Sequence, residues 1–186
     1  MSTAEKTMTA DELIRMADDG WRYELVEGEL RKISPPGSQH GAIALDLGWR
    51  LAQFVNQNKL GQVFAAETGF LISRDPDTVR APDVAFVSKS QIQRCGLPVS
   101  YYPEAPALVV EVVSPDDTAE EVDSKMRCWL NAGTQLAWVV YPGGRTITVY
   151  RSLDDIRVLT EADTLSGENV VPGFECPVAD IFQSIQ

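Results

Sequence analysis

Two carboxylates and a lysine stand where they could act together: Asp83 in Pro82-Asp83-Val84, Glu111 in Glu111-Val112-Val113-Ser114-Pro115, and Lys125 on the segment that follows. Both acids lie within runs of strand-forming residues, Ala81 to Val87 and Ala107 to Val113, and the lysine falls on the helix expected after the second run. A strand interior rarely holds an ionised carboxylate unless the charge is paired or bound to a metal, because burying it alone is costly. Two such acids followed by a lysine suit a hard divalent cation, with an ammonium beside it to meet a phosphate or orient a water. The chemistry implied is metal-assisted hydrolysis of a phosphodiester.

Each residue also has a plainer reading. Asp83, just after a proline, reads equally as a turn-capping aspartate at a strand start. Glu111 sits among Leu108-Val109-Val110 and Val112-Val113, so one strand face must accept a carboxylate among branched aliphatics, which favours function over a structural ion pair. Lys125 borders the apolar stripe of Val122, Met126, Trp129 and Leu130, so it can reach toward the sheet; taken alone it reads as a snorkelling lysine. Glu24, in Tyr23-Glu24-Leu25-Val26, reads first as an exposed strand residue and second as a further carboxylate. His40 reads as packed or loop-bonding, and Ser114 as a helix N-cap. No histidine-based triad surrounds Ser114, and no glycine-rich nucleotide loop is present.

The elements that must position these groups follow from pattern. Thr9-Ala10-Asp11-Glu12 has the form of a capping box opening a helix through Ala17. Trp21 to Ile33 reads as two strands turning at Glu27-Gly28 or Gly28-Glu29. Ile43, Leu47, Leu51 and Phe54 mark the apolar face of a helix from about His40 to Gln57. Gln62 to Ile72 is expected to be one strand, and Ser88 to Pro106 a polar connection between the two acid-bearing strands. The next helix is expected to start at Ser114, with Pro115 first inside it, and to end near Asn131 before Gly133. Leu136 to Tyr141 and Thr146 to Arg151 pair across Pro142-Gly143-Gly144. A strand at Ile156 to Leu159 and a short helix near Val178 to Phe182 follow. The order predicts an α/β fold, a mixed sheet flanked by helices, as a single domain over 1–186.

The chain of 186 residues is 44% hydrophobic and 23% charged, ordinary for a globular protein. The longest strong apolar run, Ala105 to Val113, contains Pro106 and Glu111 and falls short of the ~20 residues of a membrane span. No basic segment leads into an apolar one at the N-terminus, so a cytoplasmic location is expected. Cys95, Cys128 and Cys176 are scattered, which suits reduced thiols, and a single histidine disfavours zinc. The net charge of −11 runs against the basic footprint usual for gripping nucleic acid, although bound cations offset clustered carboxylates locally.

Taken in order, these segments resemble the Uma family of restriction endonuclease-like proteins, of the PD-(D/E)XK nuclease superfamily. The resemblance runs through Met8-Thr9-Ala10-Asp11-Glu12, Tyr23-Glu24-Leu25-Val26-Glu27-Gly28-Glu29-Leu30, and Ser34-Pro35-Pro36 followed by His40. It continues through Pro82-Asp83-Val84, Glu111-Val112-Val113-Ser114-Pro115, Lys125, Ala132-Gly133 and Trp138-Val139-Val140. It implies a restriction endonuclease-like fold and a catalytic site of Asp83, Glu111 and Lys125, with Glu24 as a fourth member. Asp83 and Glu111 would bind Mg²⁺ or Mn²⁺, and the substrate would be nucleic acid, above all DNA. The lysine usual two residues after the second acid is Val113 here, and the resemblance implies that Lys125 replaces it from the helix. A usual tyrosine after the lysine is Trp129, and acids usual around the later strand are replaced by Gln135-Leu136-Ala137-Trp138 and Tyr141. A homodimer is expected, formed through an exposed strand edge or through the apolar Leu97 to Pro106 connection with Tyr101 and Tyr102, and the alternative class is a noncatalytic, homodimeric binding or assembly module.

Overall fold

A computed structural model describes residues 7–185. Thr9 caps α1 (Ala10–Ile14) through the reciprocal bonds expected with Glu12, although the helix is shorter than its pattern suggests. β1 (Arg22–Val26) and β2 (Glu29–Ile33) turn tightly over Glu27 and Gly28, both with positive φ, a conformation glycine adopts freely. α2 spans Ser38–Asn58. The stretch read as one strand is two, β3 (Gly61–Ala65) and β4 (Phe70–Ser73), in different sheets. The break falls at Glu67, in the left-handed region, and at Gly69, where a Cβ would collide with the Tyr101 ring. β5 (Thr78–Arg80) was not anticipated, and β6 (Val84–Ser88) starts one residue after Asp83.

The connection read as polar contains α3 (Lys89–Cys95), capped by Ser88 with Gln91. After β7 (Leu108–Val112), α4 runs over Ala119–Asn131 and not from Ser114. Thr118 and Glu121 form the capping box there, while Ser114 and Asp117 close a preceding turn. The chain continues through β8 (Leu136–Tyr141), β9 (Thr146–Tyr150), β10 (Ile156–Leu159), β11 (Thr164–Ser166), β12 (Glu175–Pro177) and α5 (Val178–Ile181).

The main sheet has the order β10-β9-β8-β7-β6-β3, and a smaller one the order β2-β1-β5-β4. Only β7 and β8 pair in parallel in the main sheet, joined by α4, so the mixed α/β architecture stands. Alternation along its strands sorts the core. Val84, Phe86, Leu108, Val110 and Trp138 pack with Ile43, Leu47, Leu51 and Val55 of α2. Ala85, Val87, Val109, Ala137 and Val139 pack with Val122, Met126 and Trp129 of α4. Each such fully buried aliphatic contributes about 1.5–3 kcal/mol. By the same alternation Glu111 lies on the α4 side. Among the described residues no helix is long and apolar enough to cross a membrane.

Candidate active site

Glu111 is the centre of the cluster. Every residue of β7 is buried, as suits a strand covered on both faces, and Glu111 is only 8% exposed. α4 meets it with two side chains four residues apart, hence on one helix face. Trp129 Nε1 donates to Oε1 at 2.8 Å, and Lys125 Nζ approaches Oε2 at 3.5 Å. Lys125 therefore turns toward the sheet and keeps about a third of its side chain in solvent. Trp129, read from sequence as an apolar core residue, also supplies the donor that orients the acid.

Asp83 arrives from the neighbouring strand. β6 and β7 are antiparallel with Val84 opposite Val110, and carrying that register one residue further sets Asp83 opposite Glu111. Asp83 Oδ2 accepts the Val112 backbone N–H at 2.7 Å, so the turn-capping reading is correct in part: the side chain ties the entry of β6 to β7. The same oxygen meets His40 Nε2 at 3.1 Å, from the first turn of α2. His40 thus belongs to the cluster, which sequence reasoning missed. Its sole signal was its place after the Ser34-Pro35-Pro36 loop.

Glu24 is buried, which corrects its reading as an exposed strand residue. Oε2 accepts from Arg80 Nη1 at 2.9 Å and Oε1 from the Ala81 N–H at 3.0 Å. The pair fixes the segment leading into Pro82-Asp83. Arg80, itself 4% exposed, was also missed, although a basic residue directly before Ala81-Pro82-Asp83 was the available clue.

These placements perturb the ionisable groups. Burial pushes Glu111 up to about 7; Lys125 works against that, whereas the negative charges of Asp83 and Glu24 add to it. Lys125 is held above its ordinary value, chiefly by the Glu111 charge. Burial works to lower His40, but the hydrogen bond and charge of Asp83, with Asp117 and Glu111 beyond, outweigh it and raise the imidazole. Acids that repel one another in a dry site are a common mark of function.

Among the described residues, no three His, Cys, Asp or Glu side chains group so as to hold a metal ion by themselves. A pair of carboxylates remains, the number through which Mg²⁺ is usually held while it keeps several waters and takes substrate oxygens. The donor set fits such a cation: Asp83 and Glu111 offer oxygen only, and a positive charge beside them would offset both the burial and the repulsion that raise Glu111.

Comparison with known proteins agrees with this architecture. A crystal structure of "a putative nuclease belonging to DUF820" from Anabaena variabilis ATCC 29413 superposes with a TM-score of 0.83, over 96% of this chain and 99% of that one. At 21% identity the likeness is one of fold. No curated protein matches significantly. The family model Uma2, "Putative restriction endonuclease", matches residues 10–179, nearly the whole length. The chain therefore belongs to the Uma2 family.

Proposed function

We propose that this protein is a metal-dependent endonuclease that hydrolyses phosphodiester bonds, with DNA as substrate, through Asp83, Glu111 and Lys125. The observation that carries this reading is the state of Glu111: buried, opposite a second acid, and met by a neutral indole and a lysine at 3.5 Å. Membership of a family described as "Putative restriction endonuclease" supports the reaction class.

Asp83 and Glu111 would hold Mg²⁺ or Mn²⁺, which when bound neutralises charge at the phosphate and acidifies a water. The chain's own residues do the rest. The Val112 N–H and His40 fix one oxygen of Asp83, and Trp129 fixes one oxygen of Glu111, so each acid keeps its orientation. Lys125 is the part-exposed member; its ammonium orients the attacking water and donates to a phosphate oxygen as negative charge builds there. Glu24, with both oxygens satisfied by Arg80 and Ala81, acts by positioning the Asp83 segment and by its charge.

The test is nicking of supercoiled plasmid in Mg²⁺ and in Mn²⁺, with a chelator control and with Asp83→Ala and Lys125→Ala in parallel. Cleavage that needs metal and disappears in both variants is the expected result. A folded wild type that never cleaves, or cleavage that survives both substitutions, would overturn the reading in favour of a noncatalytic module.

A further inference from the structure

The protein carries 27 acidic residues, yet two stretches, 47–66 and 84–103, contain none. The fold brings these stretches together. β3, from the first, pairs antiparallel with β6, from the second, with Gly61 opposite Ser88 and Ala65 opposite Val84. At the Gly61 end, the C-terminus of α2 and the start of α3 border an open pocket of about 430 Å³ lined by Asn56, Lys59, Gly61, Lys89, Ile92 and Gln93. No carboxylate lines it. Among the described residues Lys59 and Lys89 form no ion pair, whereas every arginine from Arg22 onward does. Capping of α2 falls to the Lys59 backbone N–H, which bonds Asn56 and Val55 carbonyls, so its ammonium is left over. Two unpaired ammonium groups, beside two side-chain amides whose NH2 groups can donate, form a surface that can meet a phosphate.

We propose that this pocket binds a backbone phosphate of the same nucleic acid whose scissile phosphate lies at Asp83, Glu111 and Lys125. This inference rests on the nuclease reading above. The two places are the opposite ends of one strand: six residues separate Asp83 from Lys89, about 20 Å at strand rise. On duplex DNA that spans about six nucleotides of one strand. β3, the edge strand of the main sheet, runs between them free of acids, with Ala65 at the catalytic end. Charge segregation of this kind lets a protein of net charge −11 engage a polyanion over one limited surface.

The experiment is fluorescence anisotropy of a 24-base-pair duplex in Ca²⁺ across a salt series, with wild type, Lys59→Gln/Lys89→Gln, and Arg15→Ala as a charge-loss control elsewhere. The double variant is expected to bind about tenfold more weakly at low salt and to lose about one from the slope of log affinity against log salt. A double variant no weaker than Arg15→Ala would overturn the proposal. A parallel NMR titration of the lysine ammonium signals with pyrophosphate separates the sources: pyrophosphate shifts with unchanged duplex binding would also overturn it, leaving a site for a small free anion. A wild type that cleaves, with lysine-independent binding, sinks this inference alone. Lysine-dependent duplex binding without cleavage sinks the catalytic reading alone.

Discussion

Glu24 and Glu111 are buried to the same degree, each 8% exposed, and yet they are treated in opposite ways. Glu24 has a guanidinium at 2.9 Å and a backbone N–H at 3.0 Å, one for each oxygen. Glu111 has an indole N–H at 2.8 Å and an ammonium at 3.5 Å that remains part-exposed. Charge-assisted bonds with a planar donor are stronger and more directional than a long contact to a flexible one. Glu24 is therefore locked as a structural charge, whereas Glu111 is left electrostatically unfinished, as a residue must be if a cation is to join it. Burial alone says little about a carboxylate's work; the quality of its partners separates the two.

The contrast can be broken by deleting the partners. Arg80→Met strands a buried carboxylate and should cost about 3–5 kcal/mol in urea unfolding. Lys125→Met should cost far less, because Glu111 already tends toward its neutral form. Equal losses would refute the difference drawn between the two acids.

Next in size is the dependence on pH. Glu111 in the folded protein titrates near 7, above its ordinary 4.5. The folded state therefore holds the proton more tightly than the unfolded one. That contribution is complete below about 4.5 and is lost as pH rises through about 7, on the order of 3 kcal/mol in all. In chelator, wild type should thus lose stability from pH 5 to pH 8 more steeply than Glu111→Gln. Parallel slopes for the two proteins would count against the assignment. Metal affinity should move in the opposite sense and strengthen over the same interval, because a cation needs the deprotonated acid.

The smallest effect sharpens the comparison further. Trp129→Phe keeps an aromatic ring but removes the donor to Oε1 along with part of the buried indole, a loss of about 2 kcal/mol. It should also shift the pH-linked stability change to higher pH, since the bond favours the charged form of Glu111. A stability loss with no shift in pH would mean that the indole serves packing alone.

Legibility in the sequence followed the range of each interaction. The Thr9 cap, the Glu27-Gly28 turn, the apolar face of α2 and the β8–β9 hairpin are local patterns, and the structure contains them. Lys125 could be placed near the sheet because helical spacing fixes which residues border Val122 and Trp129. Two local signals competed at Ser114 and Thr118, both with an acid three residues on, and the second one starts the helix. The split of Gln62 to Ile72 was hidden because its cause, the Tyr101 ring against Gly69, comes from a distant segment. His40 and Arg80 escaped for a related reason: the sequence marks a residue's type and not its partner. Trp129 escaped because an apolar stripe conceals where an indole N–H points.

The spans that close the site differ in length, and so does the chain entropy each closure costs. The contacts of Glu111 with Lys125 and Trp129 bridge 14 and 18 residues, all inside the β7–α4–β8 crossover. Asp83 joins Val112 across 29 residues, and Glu24 meets Arg80 across 56. Closing a longer loop costs more chain entropy, and topologies rich in distant contacts fold more slowly. One acid and its lysine can thus form within a single supersecondary unit, while the second acid takes its place only when β6 docks on β7. The two carboxylates therefore depend on different ranges of contact: Glu111 and Lys125 on one local crossover, and Asp83 on the longer-range pairing of β6 with β7.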